Sequence, residues 1–332
     1  MMKHGANIYK YANKLKCKDD EITDFSSNIN LYTKKMNILL SDNTIVKYAN
    51  TSYPHLRSAI TKKYNIKKNQ IALYNGATTA IHSLLKSLDT KRIYLYAPLY
   101  SEYEKALSKK QKIIKINRFT DLYKKPKKGS VVVFVNPSTP DGLYYDLNKL
   151  FCLWKKQKCT IILDESFLEF QKLHSLRNQI DNYKKLYIIQ SFSKFYACAG
   201  VRIGAIFSQK QNIKLLKNPI WNISSFDSEF LAIRLIDEKF EKKSKKLHKK
   251  QKKELFHILK SSKLFTKIYQ SDSNFILTKS KKAKKIFEYL LGQKILIRPC
   301  ESFDFLTSKH LRFAVKNSLS HKKLKKALNE IS

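Results

Sequence analysis

Several residue types and motifs are scarce or missing in this chain of 332 residues. Its five cysteines form no C-x-x-C pair and stand at no metal-ligand spacing from a histidine, so we expect reduced thiols and no metal site. No apolar run reaches 18 residues and the first residues lack the apolar stretch of a signal peptide, so we expect a cytoplasmic protein without a membrane span. The absence of G-x-G-x-x-G after the first predicted strand, and of G-K-[ST], argues against a dinucleotide-binding enzyme.

Acidic residues are also few, with 26 Asp and Glu against 66 Lys and Arg, which leaves a net charge of +40. Such a charge suggests a polyanion partner, and a lysine-rich nucleic-acid-binding protein is one class that composition leaves open. Only eight basic residues are arginine, however, the residue best suited to bidentate phosphate and base contacts. Lysine spread along the whole chain favours a solvated surface. Residues 239–256 are predicted to form a solvated amphipathic helix with Phe240, Leu247 and Phe256 at roughly helical spacing.

Glycine occurs only seven times. A chain with so few glycines is expected to keep them where backbone geometry requires them. Four of the seven lie beside chemically suggestive residues: Gly76, Gly142, Gly200 and Gly204. They direct attention to N-G-A-T at 75–78, N-P-S-T-P-D-G at 136–142 and S-F-S-K-F-Y-A-C-A-G-V-R-I-G at 191–204.

Short apolar runs alternate with helix-compatible stretches in the first two thirds of the chain. The predicted strands are 92–96, 131–135, 160–164, 186–190 and 202–207, and the predicted helices include 75–88, 101–110 and 147–158. This alternation predicts a mostly parallel sheet. The gap between 190 and 202 is too short for a helical crossover, so the last of these strands is predicted to run antiparallel.

After about residue 215 the pattern changes to long basic helices followed by predicted strands. These strands are F-T-K-I-Y, N-F-I-L-T, I-L-I-R-P and H-L-R-F-A-V, and together they indicate a smaller α+β domain. Residues 1–30 are polar and Asn-rich, and we expect them to pack on another element.

Several polar residues point to a phosphate site at one edge of the predicted sheet. Ligands bind outside the carboxyl ends of the strands in such sheets. The helix beginning at residues 76–78 offers free N–H groups, which favour an anion. Ser191, Ser193 and Arg202 add hydroxyl groups and a fixed positive charge, which together suit a phosphate monoester.

Three further residues predict which ligand carries that phosphate. Asp164 ends a buried strand, where it can hold a protonated ring nitrogen. Tyr100 follows another strand and can stack on a flat ring. Lys194, once desolvated near other cations, can form an imine with an aldehyde. Phosphate, ring nitrogen, aldehyde and flat ring together describe pyridoxal 5'-phosphate.

The motifs around these residues resemble the fold-type I, class I and II aminotransferase family. The resemblance is nearest to the branch of histidinol-phosphate aminotransferases and threonine-phosphate decarboxylases. S-F-S-K-x7-R-I-G matches the family's lysine signature, and D-E-S-F at 164–167 and N-P-S-T-P-D-G match more loosely. The resemblance implies a three-layer αβα large domain with a mostly parallel sheet, a small α+β domain and a homodimer. We expect an N-terminal arm and part of the small domain over 1–44, the large cofactor-binding domain over 45–215 and the C-terminal small domain over 216–332.

The same resemblance implies roles for individual residues. Lys194 would bind the cofactor aldehyde and shuttle the proton at the substrate Cα, and Asp164 would pair with the pyridine nitrogen. The other implied cofactor-binding residues are Gly76, Ala77, Thr78, Tyr100, Thr139, Ser191, Ser193 and Arg202, with Tyr53 reaching the phosphate of a neighbouring subunit. The implied substrate-binding residues are His4, Asn28, Asn30, Arg298 and Arg312, of which Arg312 would grip the substrate carboxylate.

Two positions depart from the family pattern. Thr139 stands where the family usually has the second Asn of Asn-Asn-Pro, and Phe167 stands where its aminotransferases often have Tyr. In the family both residues contact the phenolic oxygen of the cofactor. We therefore expect altered cofactor electronics, and a member that binds the cofactor without turnover remains an alternative.

The N-terminal sequence favours one reaction over another. H-G-A-N at 4–7 and D-F-S-S-N-I-N at 24–30 resemble the opening of threonine-phosphate decarboxylases, and I-L-I-R-P-C at 295–300 fits the same branch. We therefore expect a small phosphorylated amino acid or amine as the substrate and decarboxylation as the reaction. The alternative is an aminotransferase that uses glutamate and 2-oxoglutarate.

Overall fold

The computed structural model describes residues 7–33 and 46–331. In chain order, the helices are α1 Ile8–Leu15, α2 Pro54–Tyr64, α3 Gly76–Ser87, α4 Glu102–Lys105, α5 Asn148–Lys156, α6 Lys210–Leu215, α7 Ser225–Ile236, α8 Glu238–Ser261, α9 Ala283–Gly292 and α10 Ser318–Asn329. The strands are β1 Thr23–Asp24, β2 Ile71–Asn75, β3 Arg92–Ala97, β4 Lys112–Asn117, β5 Val131–Val135, β6 Thr160–Asp164, β7 Leu186–Ser191, β8 Ile203–Phe207, β9 Lys267–Ile268, β10 Phe275–Lys279, β11 Ile295–Leu296, β12 Arg298–Pro299 and β13 His310–Ala314.

Seven strands form the central sheet in the order β2-β8-β7-β6-β5-β3-β4. The contacts from β7 through β6, β5 and β3 to β4 are parallel, and β8 runs antiparallel to both of its neighbours. The predicted parallel sheet and the antiparallel direction of β8 are therefore confirmed. Sequence reasoning missed the two outer strands, because lysines interrupt the isoleucines of β4 and β2 is a short apolar run directly before Gly76.

Apolar residues on the two faces of this sheet belong to two separate cores. Leu73, Phe134, Leu163 and Ile188 pack with residues of α2, α5 and α7 on one face. Their strand neighbours Tyr74, Val135, Ile162 and Ile189 pack with residues of α3 and with Tyr103 of α4 on the other face. Because successive side chains in a strand point to opposite faces, these fully apolar strands are buried on both sides. The three-layer αβα arrangement is confirmed.

A second, antiparallel sheet has the order β12-β13-β10-β9 and packs with α8, α9 and α10. β1 pairs in parallel with β11, and Phe25 enters the same core, so the described N-terminal segment packs here as expected. The predicted boundary at residue 44 lies outside the described residues, and the predicted division between residues 215 and 216 falls at the end of α6.

The lysine-rich helix α8 differs in detail from its prediction. Its side chains buried against the protein are Phe240, Ser244, His248, Leu255, Ile258 and Leu259, whereas Phe256 is exposed. The prediction that Phe256 lies on the apolar side is therefore wrong. The buried residues still recur at three- and four-residue intervals along most of the helix, and most of its lysines are exposed. Within the described ranges, no helix combines the length and apolarity that a membrane crossing needs.

The helix predicted for 101–110 is wrong beyond its first turn. α4 ends at Lys105, and the chain then turns at Ser108, whose N–H donates to Gln111 Oε1 at 2.9 Å. This short helix directs Tyr103 toward the central sheet.

Candidate active site

A cavity of about 380 Å³ lies where the carboxyl ends of β5, β6 and β7 meet the first turn of α3. Residues 26–29, β12, β13 and the loop after β12 close it from the other side. The predicted site residues that line it are Asn28, Ala77, Thr78, Tyr100, Thr139, Asp164, Ser191, Lys194, Arg202, Arg298 and Arg312. The fold thus brings together residues from both ends of the chain.

Lys194 follows β7 and lines this cavity. Its carbonyl oxygen accepts the Asn30 N–H at 2.9 Å, which ties its loop to the N-terminal segment. Burial lowers the pKa of the Lys194 ammonium, and the Arg202 cation lowers it further. The Asp164 carboxylate opposes this shift, and the Arg312 cation adds to it. An amine that is neutral at a lower pH than usual is suited to attack an aldehyde.

Asp164 ends β6 and is only 5% exposed. Its Oδ1 accepts the Ser166 N–H at 2.9 Å and its Oδ2 accepts the Tyr103 hydroxyl at 2.8 Å. Burial raises the pKa of Asp164, whereas hydrogen bonds from Ser166 and Tyr103 and the charge of Lys194 lower it. Sequence reasoning missed Tyr103. The available signal was its position three residues after Tyr100, in the segment that follows a predicted strand.

The first turn of α3 forms one corner of the cavity. The turn contains no acidic residue and has no side-chain cap, so its N–H groups are available. Gly76 begins the helix with φ +80°, and a Cβ built on it would lie 2.7 Å from Arg202 Nη2. Thr78 Oγ1 lies 3.4 Å from the Tyr100 hydroxyl. The guanidinium, the hydroxyl group and the free N–H groups can together hold a phosphate dianion.

A buried ion pair between Arg118 and Asp141 stabilises the loop that contains Thr139. Arg118 Nη2 also donates to the Thr139 carbonyl at 3.2 Å, and Ser138 Oγ donates to Asp141 Oδ1 at 2.6 Å. Thr139 Oγ1 then accepts a hydrogen bond from Arg312 Nη1 at 3.3 Å. The shorter side chain at this position therefore contacts an arginine of the cavity and keeps its own hydroxyl hydrogen for another acceptor.

Arg298 and Arg312 are cross-strand partners on β12 and β13. They are 2% and 6% exposed. Arg312 Nη2 donates to the Ser26 carbonyl at 3.2 Å, and the Asn28 amide oxygen, in the orientation that satisfies both groups, lies 3.1 Å from Arg312 Nη1. Arg298 Nη2 donates to Ser302 Oγ at 3.0 Å. Burial lowers the pKa of Arg312 to about 10, and the Arg298 cation also lowers it.

Phe167 also lines the cavity. Its ring meets the Phe275 ring edge to face, with centroids 5.1 Å apart, and the Arg312 guanidinium lies 4.9 Å from the Phe275 centroid. Aromatic packing therefore accommodates the departure at residue 167, and this side chain offers the cavity no hydrogen-bond donor.

Asn28 or Asn30 was expected to lie near the substrate; Asn28 lines the cavity, whereas Asn30 does not. The Asn30 amide nitrogen donates to the Phe195 carbonyl at 2.8 Å and to Ser244 Oγ at 3.0 Å. Asn30 thus joins the N-terminal segment to the loop after Lys194 and to α8. Its position is that of a residue that holds the loop.

Four further predicted residues lie outside the cavity lining or outside the described residues. The Tyr53 hydroxyl accepts the Ile223 N–H at 3.2 Å and donates to the Ile223 carbonyl at 3.1 Å. To contact the cofactor phosphate of a neighbouring subunit, it would have to give up these hydrogen bonds. Gly76 and Ser193 are buried beside lining residues. His4 falls outside the described residues.

A comparison with known protein families identifies the family to which the chain belongs. Residues 2–331 match the profile of the family described as aminotransferase class I and II. The protein belongs to the class I and II aminotransferase family. Because this family depends on pyridoxal phosphate, the protein is a pyridoxal-phosphate-dependent enzyme. The choice that composition left open, between an enzyme and a nucleic-acid-binding protein, is resolved in favour of the enzyme.

Three proteins that are similar to this chain have three different names. The adenosylcobalamin biosynthesis bifunctional protein CobDQ of Leptospira interrogans is 30% identical, over 99% of this chain but only 41% of its own length. The threonine-phosphate decarboxylase of Salmonella typhimurium is 24% identical, over 99% of this chain and 96% of its own. The histidinol-phosphate aminotransferase structure from Clostridium acetobutylicum is 27% identical, covers 93% of this chain and 99% of its own, and has a TM-score of 0.81.

The cavity of this aminotransferase-family enzyme fits its cofactor on physical grounds. Burial disfavours the charged form of Asp164, and a protonated ring nitrogen would offset that cost. A phosphate dianion would likewise compensate the mutual repulsion of Lys194 and Arg202. The missing side chain of Gly76 leaves the space that the Arg202 guanidinium occupies.

Proposed function

We propose that this enzyme decarboxylates a small phosphorylated amino acid, whose two anionic groups bind to Arg298 and Arg312. The observation that carries the proposal is the pairing of these two buried arginines across β12 and β13 in the cavity lined by Lys194. The hydrogen bonds described for the Arg312 guanidinium go to neutral oxygens, and its buried Nε has no partner within the described residues. A carboxylate and a phosphate on one small molecule would compensate both charges.

The roles of the remaining residues follow from their positions. Pyridoxal phosphate, when bound, supplies the electron sink for negative charge at the substrate Cα. Lys194 would bind the cofactor aldehyde and hold the proton for the substrate Cα, and Asp164 would pair with the ring nitrogen. Tyr100 would pack against the ring, and Thr139 would offer its hydroxyl to the phenolic oxygen. Ala77, Thr78, Ser191, Ser193 and Arg202, beside Gly76, would hold the cofactor phosphate.

The choice of reaction would depend on which bond at the substrate Cα the residues of the site hold in position for cleavage. Support for decarboxylation comes from the names of the Leptospira and Salmonella relatives, from the N-terminal H-G-A-N element and from Phe167. The second candidate is an aminotransferase, which the Clostridium structure favours through its 27% identity and nearly complete coverage.

We also propose a homodimer in which Tyr53 lies close to the subunit contact. Tyr48 and Trp221 are exposed and stack with centroids 4.4 Å apart, and Val46 and Ile220 beside them in the chain are exposed as well. Tyr53 bonds to Ile223, so it lies near this apolar patch. Sedimentation of wild-type protein and of the Trp221→Glu variant tests the proposal. We expect a dimer that the charge weakens, and a wild-type monomer would contradict it.

A substrate comparison separates the two reactions. Purified enzyme is incubated with O-phosphothreonine, O-phosphoserine or histidinol phosphate, with and without 2-oxoglutarate, while carbon dioxide and glutamate are measured. We expect carbon dioxide from an amino-acid O-phosphate without any need for 2-oxoglutarate. Threonine, which lacks the phosphate, is the matched control and should react far more slowly. Glutamate formation without carbon dioxide would establish the aminotransferase instead.

A further inference from the structure

The buried hydroxyl of Tyr103 contacts the carboxylate that faces the cofactor ring in the proposed function. We propose that Tyr103 is a positioning residue, which orients the Asp164 carboxylate toward the cavity and supports its negative charge. The inference rests on the role proposed for Asp164.

The geometry distinguishes the hydroxyl of Tyr103 from its ring. The ring belongs to the apolar core between the central sheet and α3, where phenylalanine would serve equally well. The hydroxyl reaches 2.8 Å from Asp164 Oδ2, and the Ser166 N–H occupies Oδ1 at 2.9 Å. Both carboxylate oxygens are therefore held by donors of the protein, and the Ser166 side chain adds a further hydrogen bond to the carboxylate.

The short helix α4, which contains Tyr103, forms ion pairs with the elements on both sides of it. Glu102 Oε2 lies 3.2 Å from His82 Nε2 on α3, and Glu104 Oε2 lies 2.9 Å from Lys115 Nζ on β4. A four-residue helix has little stability of its own, so these contacts and the buried ring hold the hydroxyl in place. Such fixed placement is what a positioning group requires.

The electrostatics fix the direction of the hydrogen bond. Burial raises the pKa of Tyr103 well above its ordinary value, and the Asp164 and Tyr100 groups raise it further, so the phenol stays protonated and donates. The charged and polar groups that act on Asp164 are Ser166, Tyr103 and Lys194, and all three favour its carboxylate form against burial. Removal of the Tyr103 hydroxyl leaves Ser166 and Lys194 alone to oppose the cost of burial. A protonated Asp164 would lose its ionic attraction for a cationic ring nitrogen.

The test measures cofactor binding to the full-length apoenzyme rather than activity. Dissociation constants are determined for pyridoxal phosphate and for its 1-deaza analogue, in which a carbon atom replaces the ring nitrogen. Tyr103→Phe is expected to weaken the binding of pyridoxal phosphate about tenfold, the effect of one hydrogen bond to a charged group. The same variant should bind the deaza analogue as the wild type does, because no ring nitrogen is left for Asp164 to pair with.

Two further variants make the outcome interpretable. Tyr96→Phe removes another buried hydroxyl, which accepts from Trp154 Nε1 at 2.8 Å and does not line the cavity, and it should affect both ligands equally or not at all. Asp164→Asn should weaken only pyridoxal phosphate. The inference is wrong if Tyr103→Phe weakens the binding of both ligands equally, or of neither, while Asp164→Asn weakens the binding of pyridoxal phosphate alone. If Asp164→Asn also binds the two ligands with equally changed affinity, the role proposed for Asp164 is wrong together with the inference.

Discussion

The α-carbon of Gly204 on β8 lies directly against the backbone of Ala77 in the first turn of α3. A Cβ built on Gly204 would lie 2.6 Å from Ala77 Cα and 2.7 Å from the Gly76 carbonyl carbon. Both are backbone atoms, which cannot move aside without shifting the helix. The position of β8 therefore determines where the first turn of α3 lies.

Gly204→Ala is therefore expected to displace the first turn of α3. Overpacking of this kind costs about 1 to 3 kcal/mol of the free energy of unfolding, and the cofactor phosphate loses part of its site. Titration of the apoenzyme with pyridoxal phosphate should show weaker binding. Gly200→Ala is the matched control in the same segment, because a Cβ there meets nothing within 4 Å. Equal binding by the two variants would contradict this view of the phosphate corner.

Borohydride reduction of the holoenzyme is expected to leave one cofactor adduct, on Lys194. Lys252 provides a stringent control, because burial lowers its pKa to about 8 while its Nζ donates to the Ser271 carbonyl outside the cavity lining. Mass spectrometry should find the adduct in Lys252→Ala and none in Lys194→Ala. An adduct on Lys252 would show that a low pKa, rather than the cavity, selects the reactive lysine.

The pH dependence of aldehyde attack should follow the charges around Lys194. Its pKa is lowered, so the rate of adduct formation by the apoenzyme should rise with pH and level off below the ordinary lysine value of about 10.4. Pyridoxal without its phosphate is the probe, since it leaves Arg202 without a phosphate to bind. Removal of a cation in Arg202→Gln should move the inflection to higher pH. Removal of an anion in Asp164→Asn should move it to lower pH, and a shift of either variant in the opposite direction would refute this electrostatic account.

The buried Arg118–Asp141 pair behind Thr139 should contribute far more to stability than a surface pair. Arg118→Met leaves a buried carboxylate without its cation, which costs about 3 to 5 kcal/mol. The exposed pair of Glu238 and Lys242 is the control, and Glu238→Gln should cost less than about 1 kcal/mol. Urea unfolding followed by the fluorescence of Trp154, which lies in the core of the central sheet, measures both.

A second variant tests the reason for that loss. Asp141→Asn added to Arg118→Met removes the orphaned charge and should recover part of the stability. If the double variant is less stable than Arg118→Met alone, the cost does not come from the buried carboxylate.

Much of the fold was available from local patterns. Apolar runs such as 131–135 and 160–164 read as buried strands, because a strand covered on both faces has no polar side to show. The polar residue that ends such a strand, Asp164, then had to lie at the edge where parallel strands finish. The lysine motif at 191–204 is contiguous, so its spacing was readable without any tertiary information.

Contacts between distant segments depended on the tertiary structure. Tyr103 and Asp164, Arg118 and Asp141, and Asn30 and Phe195 each meet only because strand order, helix length and packing bring their segments together. No local propensity encodes which hydroxyl a carboxylate will find, since that depends on register and on the packing of whole elements. The sequence by itself predicted the inner strands of the central sheet, and it singled out Lys194 and Asp164 as candidates for the site. The folded chain decided which side chains hold them in position, because orientation comes from contacts that the order of residues along the chain does not contain.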